Sequence, residues 1–312
     1  MVGHPQGLPG DQCTALGASV PHGWLLSPYS GCATVSSRQE IKRYIRESLG
    51  LAPQSVPAPT FPMEGHLCDF PLWSYSRKRA TVTSLHVDYE DGTFLTIRAP
   101  EGMPGPRFPG YLDVLLFCGY RHLVLDDHVE LSMYTILKTL GLDPRSGRNL
   151  QHLRRDMDRA FSLSIKTNRF IHPETGTRTH IDYFRVLRRM RLADDGRRTS
   201  TFYFDDLFVH SLRHGYLKRL DWDFCLALDT RGKPLARFLY AHIAKRLGGK
   251  SMYIRRLEGF LRDVGLGYAL HQPPKRRTEL VKETLYPALD LVKGHGFRHY
   301  DVDDGGNIFF LP

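Results

Sequence analysis

Two stretches of this chain read in the same order. LKTLGL ends at Leu142 and LRDVGL ends at Leu266. Each closes a short helix at a glycine, the residue that tolerates the positive φ a helix end needs. A loop follows each, then a helix with an apolar stripe on one side and cations on the other, then two strands about a turn. The repeat is one of pattern, not of residues. An amphipathic helix must bury its stripe against a neighbour, so three helices and a hairpin have few ways to pack. The order predicts two three-helix modules, each closed by a β-hairpin, which is the plan of a winged helix.

The first copy opens with an apolar helix from Gly110 to Leu123, carrying Leu112, Leu115, Leu116 and Tyr120. Ser132 is placed to cap the next helix, whose stripe is Met133, Ile136, Leu137 and Leu140. Asn149 is the expected N-cap of the third. There Leu150, Leu153, Met157 and Phe161 face in, and Arg148, Gln151, His152, Arg155 and Arg159 face out. Strands about Pro173-Glu174-Thr175-Gly176-Thr177 are expected to form the wing, with Lys166, Arg169, Arg178 and Arg185 on them. A strand from Thr199 to Phe204 and a short helix from Asp205 to His214 follow. Thr230-Arg231-Gly232 is the expected junction.

The second copy starts at Pro234, a residue suited to the first helical position. Leu235, Phe238, Leu239, Ile243 and Leu247 form its first stripe. Ser251 is expected to cap a helix carrying Ile254, Leu257, Leu261 and Val264. The third helix runs from about Arg276 to Lys293. Leu280, Leu285, Leu289 and Val292 face in, and Lys275, Arg276, Arg277, Lys282 and Tyr286 face out. Pro287 must kink or restart it, since proline lacks one backbone donor. Phe297 to Val302 and Ile308 to Phe310 flank Asp303-Asp304-Gly305-Gly306, again a hairpin. Ahead of both copies, residues 1–66 are rich in Gly, Pro and Ser and read as an irregular arm. A short helix is expected there at 38–49, with Ser37 and Glu40 spaced as a capping box. Strands are expected at 82–87 and 93–97. The fold class is α+β, with one winged-helix domain over 67–230 and a second over 231–312.

Lys and Arg number 43 against 33 Asp and Glu, a formal charge of +10. Such an excess favours polyanions, with nucleic acid first and an anionic membrane surface second. No run of about twenty apolar residues is present to span a bilayer. No charged n-region precedes an apolar core, so a cytoplasmic location is expected. The five cysteines include no CxxC pair, which suits a reducing compartment. His66 and Cys68 are too few for a zinc site, and His122, Asp126, Asp127 and His128 read as helix-end groups. No Walker loop and no paired-acid constellation occurs. A nicking enzyme wants two histidines flanking one apolar residue, and a tyrosine recombinase wants more than the fragment Gln151-His152-Leu153-Arg154-Arg155. No enzyme, metal or cofactor is expected.

Arg or Lys reads guanine and Asn or Gln reads adenine in a major groove. Gln151, Arg155, Arg148 and Arg276 are therefore the base-reading candidates. Lys166, Arg169 and Arg178 are expected to hold phosphates and set register. Asn149, His152, Arg159, Lys275, Arg277 and Lys282 complete the expected surface. For each of these the plain alternative is a solvated surface charge.

Four segments carry a family resemblance: FPLWSYSRKR at 70–79, YLDVLLF at 111–117, LGLDPRSGRNLQHLRRDMDRAF at 140–161, and the stretch from HGYLKRLDWDFCLAL to PLARFLYAHIAKRL over 214–247. Together these resemble the bacterial plasmid replication initiator protein A family over roughly residues 68–312. The resemblance implies tandem winged-helix domains that bind repeated double-stranded sites in a plasmid origin. It also implies opening of adjacent A·T-rich DNA, contact with the host initiator and replicative helicase, and a homodimer that represses its own promoter. A repressor without an initiator role remains the alternative, with a DNA-nicking enzyme or recombinase behind it.

Overall fold

This is a computed structural model, and it describes residues 60–75, 82–172, 174–178 and 180–312. The expected helix at 38–49 lies outside the described residues.

The first half opens with β1 (Thr60–Glu64) and a 3-10 turn at His66–Cys68, then β2 (Ser84–Asp88) and β3 (Phe94–Arg98). It continues through α1 (Phe108–Asp126), β4 (His128–Ser132), α2 (Met133–Thr139) and α3 (Gly147–Ser162). Next come β5 (Ser164–Thr167), β6 (Asp182–Phe184), β7 (Leu187–Arg191) and β8 (Thr199–Phe204). It closes with α4 (Asp206–Arg213), β9 (Leu217–Asp221) and α5 (Trp222–Thr230). The second half has α6 (Pro234–Leu247), β10 (Tyr253–Arg256), α7 (Leu257–Asp263) and a 3-10 turn at Gly267–His271. It ends with α8 (Pro274–Leu280), a π turn at Val281–Leu285, α9 (Tyr286–Val292), β11 (His299–Val302) and β12 (Asn307–Leu311). The chain is α+β, with small antiparallel sheets packed among helices.

Two of the sheets share one topology. The orders are β4-β8-β7 and β10-β12-β11. In each, a short strand leads into the second helix and pairs with the last strand of the hairpin that follows the third. The repeated order predicted from sequence is present, with a strand in each copy that the pattern did not reveal. In the second copy that strand replaces the start of a helix: Tyr253–Arg256 is extended, α7 begins at Leu257, and Ile254 is exposed rather than packed.

The hairpin of the first copy is not the one expected. The strands on either side of the expected turn, β5 and β6, belong to another sheet, ordered β2-β3-β5-β6. Ile165 of β5 stands opposite Ile97 of β3, and both are fully buried, so β3 takes up the apolar side of β5. The hairpin beside β4 is β7–β8, which buries Leu187, Phe202 and Phe204. The last residues of the expected arm form a strand instead. Thr60–Glu64 pairs with β9, and Phe61 packs edge-on against Trp222 at 5.5 Å between ring centroids.

The core is continuous across the predicted junction. Trp73 meets Phe238 at 5.7 Å, and Tyr75 Oη donates to Val264 O at 2.7 Å. Arg237 of α6 donates from Nε and Nη2 to Asp113 of α1, each at 2.7 Å, and both side chains are buried. Asp229 of α5 joins Asp113 side chain to side chain. Burial and the neighbouring Asp113 charge hold Asp229 well above the usual carboxylate value, and burial raises Asp113 against the opposing pull of the Arg237 guanidinium. At Pro287 the rod from Pro274 to Val292 is neither broken nor restarted. The π turn just before it absorbs the missing donor. Among the described residues, no helix is long and apolar enough to cross a membrane.

Candidate nucleic-acid interface

α3 is positioned by what it buries. Leu153, Met157 and Ala160 are in the core. Asp156 is buried too, and accepts from Gly105 N at 3.0 Å. Burial raises the Asp156 carboxyl, while the Gly105 amide and the flanking arginines pull the other way. Arg159 donates to the carbonyls of Glu101 at 3.1 Å and Met103 at 3.5 Å. The helix is thus fastened to the 100–106 loop along one side. Its cap is Ser146 rather than Asn149: Ser146 Oγ accepts from Asn149 N. The Asn149 side chain is occupied, donating to Asp143 O at 3.0 Å and accepting from Arg107 at 3.3 Å.

The remaining face points away from the core. Arg148 and Gln151 are exposed, with no side-chain hydrogen bond among the described residues. Arg155 is exposed as well, with Nη2 at 2.6 Å from His152 Nδ1. Arg148, Gln151 and Arg155 therefore share the outward face expected of them, with His152 half-buried beside them. Asn149 and Arg159 are drawn into the supports instead.

The β7–β8 turn completes this surface, and the sequence reading missed it. Arg154 of α3 donates to the carbonyls of Ala193, at 3.2 Å, and Asp194. Tyr134 N of α2 donates to Gly196 O at 2.9 Å. Gly196 has φ +70°, and a Cβ there would lie 2.9 Å from Leu150 Cδ1 of α3. The positive φ favours glycine, and a side chain there would have to displace the tip of Leu150. Asp195 Oδ1 accepts from the amides of Arg197 and Arg198, each at 2.9 Å. Those bonds hold the Asp195 carboxyl below its usual range. The Arg197 and Arg198 side chains stand exposed at the tip, with Arg191 exposed on the strand. The signal was Asp194-Asp195-Gly196, a turn sequence followed by two arginines.

The three wing cations expected to hold phosphates lie elsewhere. Lys166 Nζ is 5.2 Å from the Tyr183 ring centroid and 5.8 Å from that of Phe94. Arg178 pairs with Asp91 at 3.2 Å. Arg169 is buried: its guanidinium lies 3.5 Å from the Tyr89 ring centroid and donates to Thr93 Oγ1 at 3.2 Å. It holds the β2–β3 hairpin and has no surface to offer a phosphate. His66 is likewise a core group, stacked on Phe170 at 3.8 Å with Nδ1 at 2.6 Å from Glu64. Asp127 ends α1 at φ +61° and pairs with Arg188.

In the second copy, Lys275 and Lys282 are exposed with no side-chain partner among the described residues. Arg276 pairs with Glu279 at 3.1 Å and lies 3.8 Å from Glu283. Arg277 donates to Glu258 at 3.1 Å and to Leu270 O at 3.2 Å. The β11–β12 tip is acidic, with Asp303 accepting from Asn307 N at 2.8 Å beside Asp304. The two copies share topology but not charge: the first has an arginine tip and an open cationic helix, the second an acidic tip and fewer free cations.

No family model matches the chain, and no curated protein does. Solved structures that align with it include two of RctB. One is of selenomethionine derivatives of domains 2 and 3 of RctB, at 14% identity and a TM-score of 0.48, covering 77% of this chain and 94% of that one. The other is of RctB domains 2–3, at 14% identity and a TM-score of 0.42, covering 73% and 90%.

Proposed function

We propose that the chain binds double-stranded DNA in a sequence-specific manner and acts as a replication initiator. The observation that carries this reading is the strand pairing repeated in both halves. A strand that pairs with the far side of a hairpin, around three helices, is what a winged helix requires, and the recurrence of that pairing in both halves supports the reading. In the first module α3 is the groove-entering helix, and the β7–β8 tip lies against its N-terminal half. Gln151 and Arg155 read base edges. Arg148, Arg197 and Arg198 hold phosphates and set register. The second module adds Lys275 and Lys282 but brings an acidic tip, so the first module carries most of the base reading.

The initiator role is supported by the resemblance of the quoted segments to plasmid initiators. It extends the proposal to repeated sites in an origin, to contact with the host initiator and replicative helicase, and to a homodimer. Nuclease footprinting on the replicon that carries the gene tests it. A ladder of protected direct repeats is the expected result. One palindrome beside a promoter would make the protein a repressor, and no protection would end the DNA-binding reading.

A further inference from the structure

Away from the nucleic-acid face, histidines and an acid meet at one corner. His210 and His214 stand four residues apart at the C-terminal end of α4, and Glu174 reaches them from the turn between β5 and β6. Glu174 Oε1 lies 3.6 Å from His210 Nε2 and 3.4 Å from His214 Nε2. The imidazole centroids are 4.1 Å apart, and one donor atom from each residue lies within 4.8 Å of the others. A tetrahedral zinc ion with bonds near 2.0–2.1 Å holds its donors about 3.3 Å apart. Both histidine–glutamate edges are close to that length. The third edge, between the two imidazoles, lies within 4.8 Å.

The supports of the cluster also suit a ligand set. His214 Nδ1 faces the His210 carbonyl at 2.9 Å and must donate to it, which leaves the Nε2 lone pair toward Glu174. The turn bearing Glu174 is held by its own backbone, with His172 O accepting from Gly176 N at 2.8 Å and Thr175 N at 3.2 Å. Two imidazoles converge on the same carboxylate oxygen. A cation between them gives all three a partner at neutral pH. Two nitrogens and one carboxylate favour a borderline transition ion over calcium or magnesium, which take oxygen ligands.

We propose that Glu174, His210 and His214 bind Zn²⁺, with the fourth position open to water. The ion clasps the β5–β6 turn to α4. The untagged full chain, stripped with chelator, is titrated with Zn²⁺ by calorimetry, beside Glu174→Gln, His214→Gln and the triple variant E174Q/H210A/H214Q. The triple variant sets the baseline for any other ligands in the chain. Circular dichroism without metal checks that all four proteins share one fold. The expected result is one Zn²⁺ per chain above that baseline. Each single substitution should weaken it at least about tenfold, the smaller end of what even a supporting group contributes. Zn²⁺ should also raise the melting temperature of the wild type and not of the triple variant. Uptake equal in the wild type and the triple variant, or none in either, overturns the proposal.

Discussion

Replacing Arg237 by leucine should destabilise the whole chain, and by an amount that depends on pH. Arg237 and Asp113 are both about 1% exposed and joined by two 2.7 Å bonds. Without the guanidinium, Asp113 is a buried anion with one partner, the Asp229 carboxyl. Such a group takes up a proton rather than stay charged. Against an ordinary value of 3.8, forced protonation costs about 4 kcal/mol at pH 7 and about 2 kcal/mol at pH 5. The pH 7 value fits the range known for breaking a buried pair from one side. For a chain of this size the pH 7 figure lowers the melting temperature by roughly 10 °C. Urea denaturation at pH 5 and pH 7 measures both values. The double variant R237L/D113L should recover most of the loss, since an apolar pair leaves no bare charge. A single variant as stable as the wild type at pH 7, or one whose deficit ignores pH, would refute the reasoning. Because the pair joins α1 to α6, unfolding should remain a single transition.

Three further outcomes follow from the same structure. Asp229 has a raised folded value, so its stabilisation is full below 3.8 and is lost as pH rises through the folded pKa; Asp229→Asn keeps a donor without the proton, and its stability relative to wild type should climb with pH by up to about 1.4 kcal/mol per unit in urea melts, whereas parallel curves would contradict this. Gly196→Ala places a side chain at φ +70° and against Leu150, so stability should fall by about 1–2 kcal/mol and duplex affinity with it; a neutral result in both assays would sink the account of the hairpin tip. Gln151→Ala should lose about 1–3 kcal/mol at the cognate site and nothing on scrambled duplex, while Arg148→Ala should weaken both alike by fluorescence anisotropy; the reverse pattern would reassign the two residues.

Much of the fold was legible because its signals are local. Ser132 does cap α2, accepting from Thr135 N at 3.0 Å, and the stripes of α1, α2 and α3 face the core as spaced, with Tyr120, Leu150 and Phe161 half-buried at its edge. The β11–β12 hairpin lies about the Asp-Gly turn that predicted it. What failed depended on distant partners. Nothing near Pro173 tells that β5 pairs with β3, about seventy residues earlier. β4 and β10 span five and four residues, too short for alternation to outweigh the helices on either side. Arg169 looked like a surface cation because its burial is set by Tyr89, eighty residues away. On α3, spacing alone identified the outward face. It did not show which cations the 100–106 loop would capture.

The most direct test of the central claim is the affinity for a cognate origin repeat as a function of salt. Five cations of the described surface are proposed to meet phosphates: Arg148, Arg197, Arg198, Lys275 and Lys282. If all do, log affinity should fall against log salt with a slope of about −4.5, and a scrambled duplex should bind far more weakly at every salt. A flat profile, or equal affinity for cognate and scrambled duplex, would contradict the account.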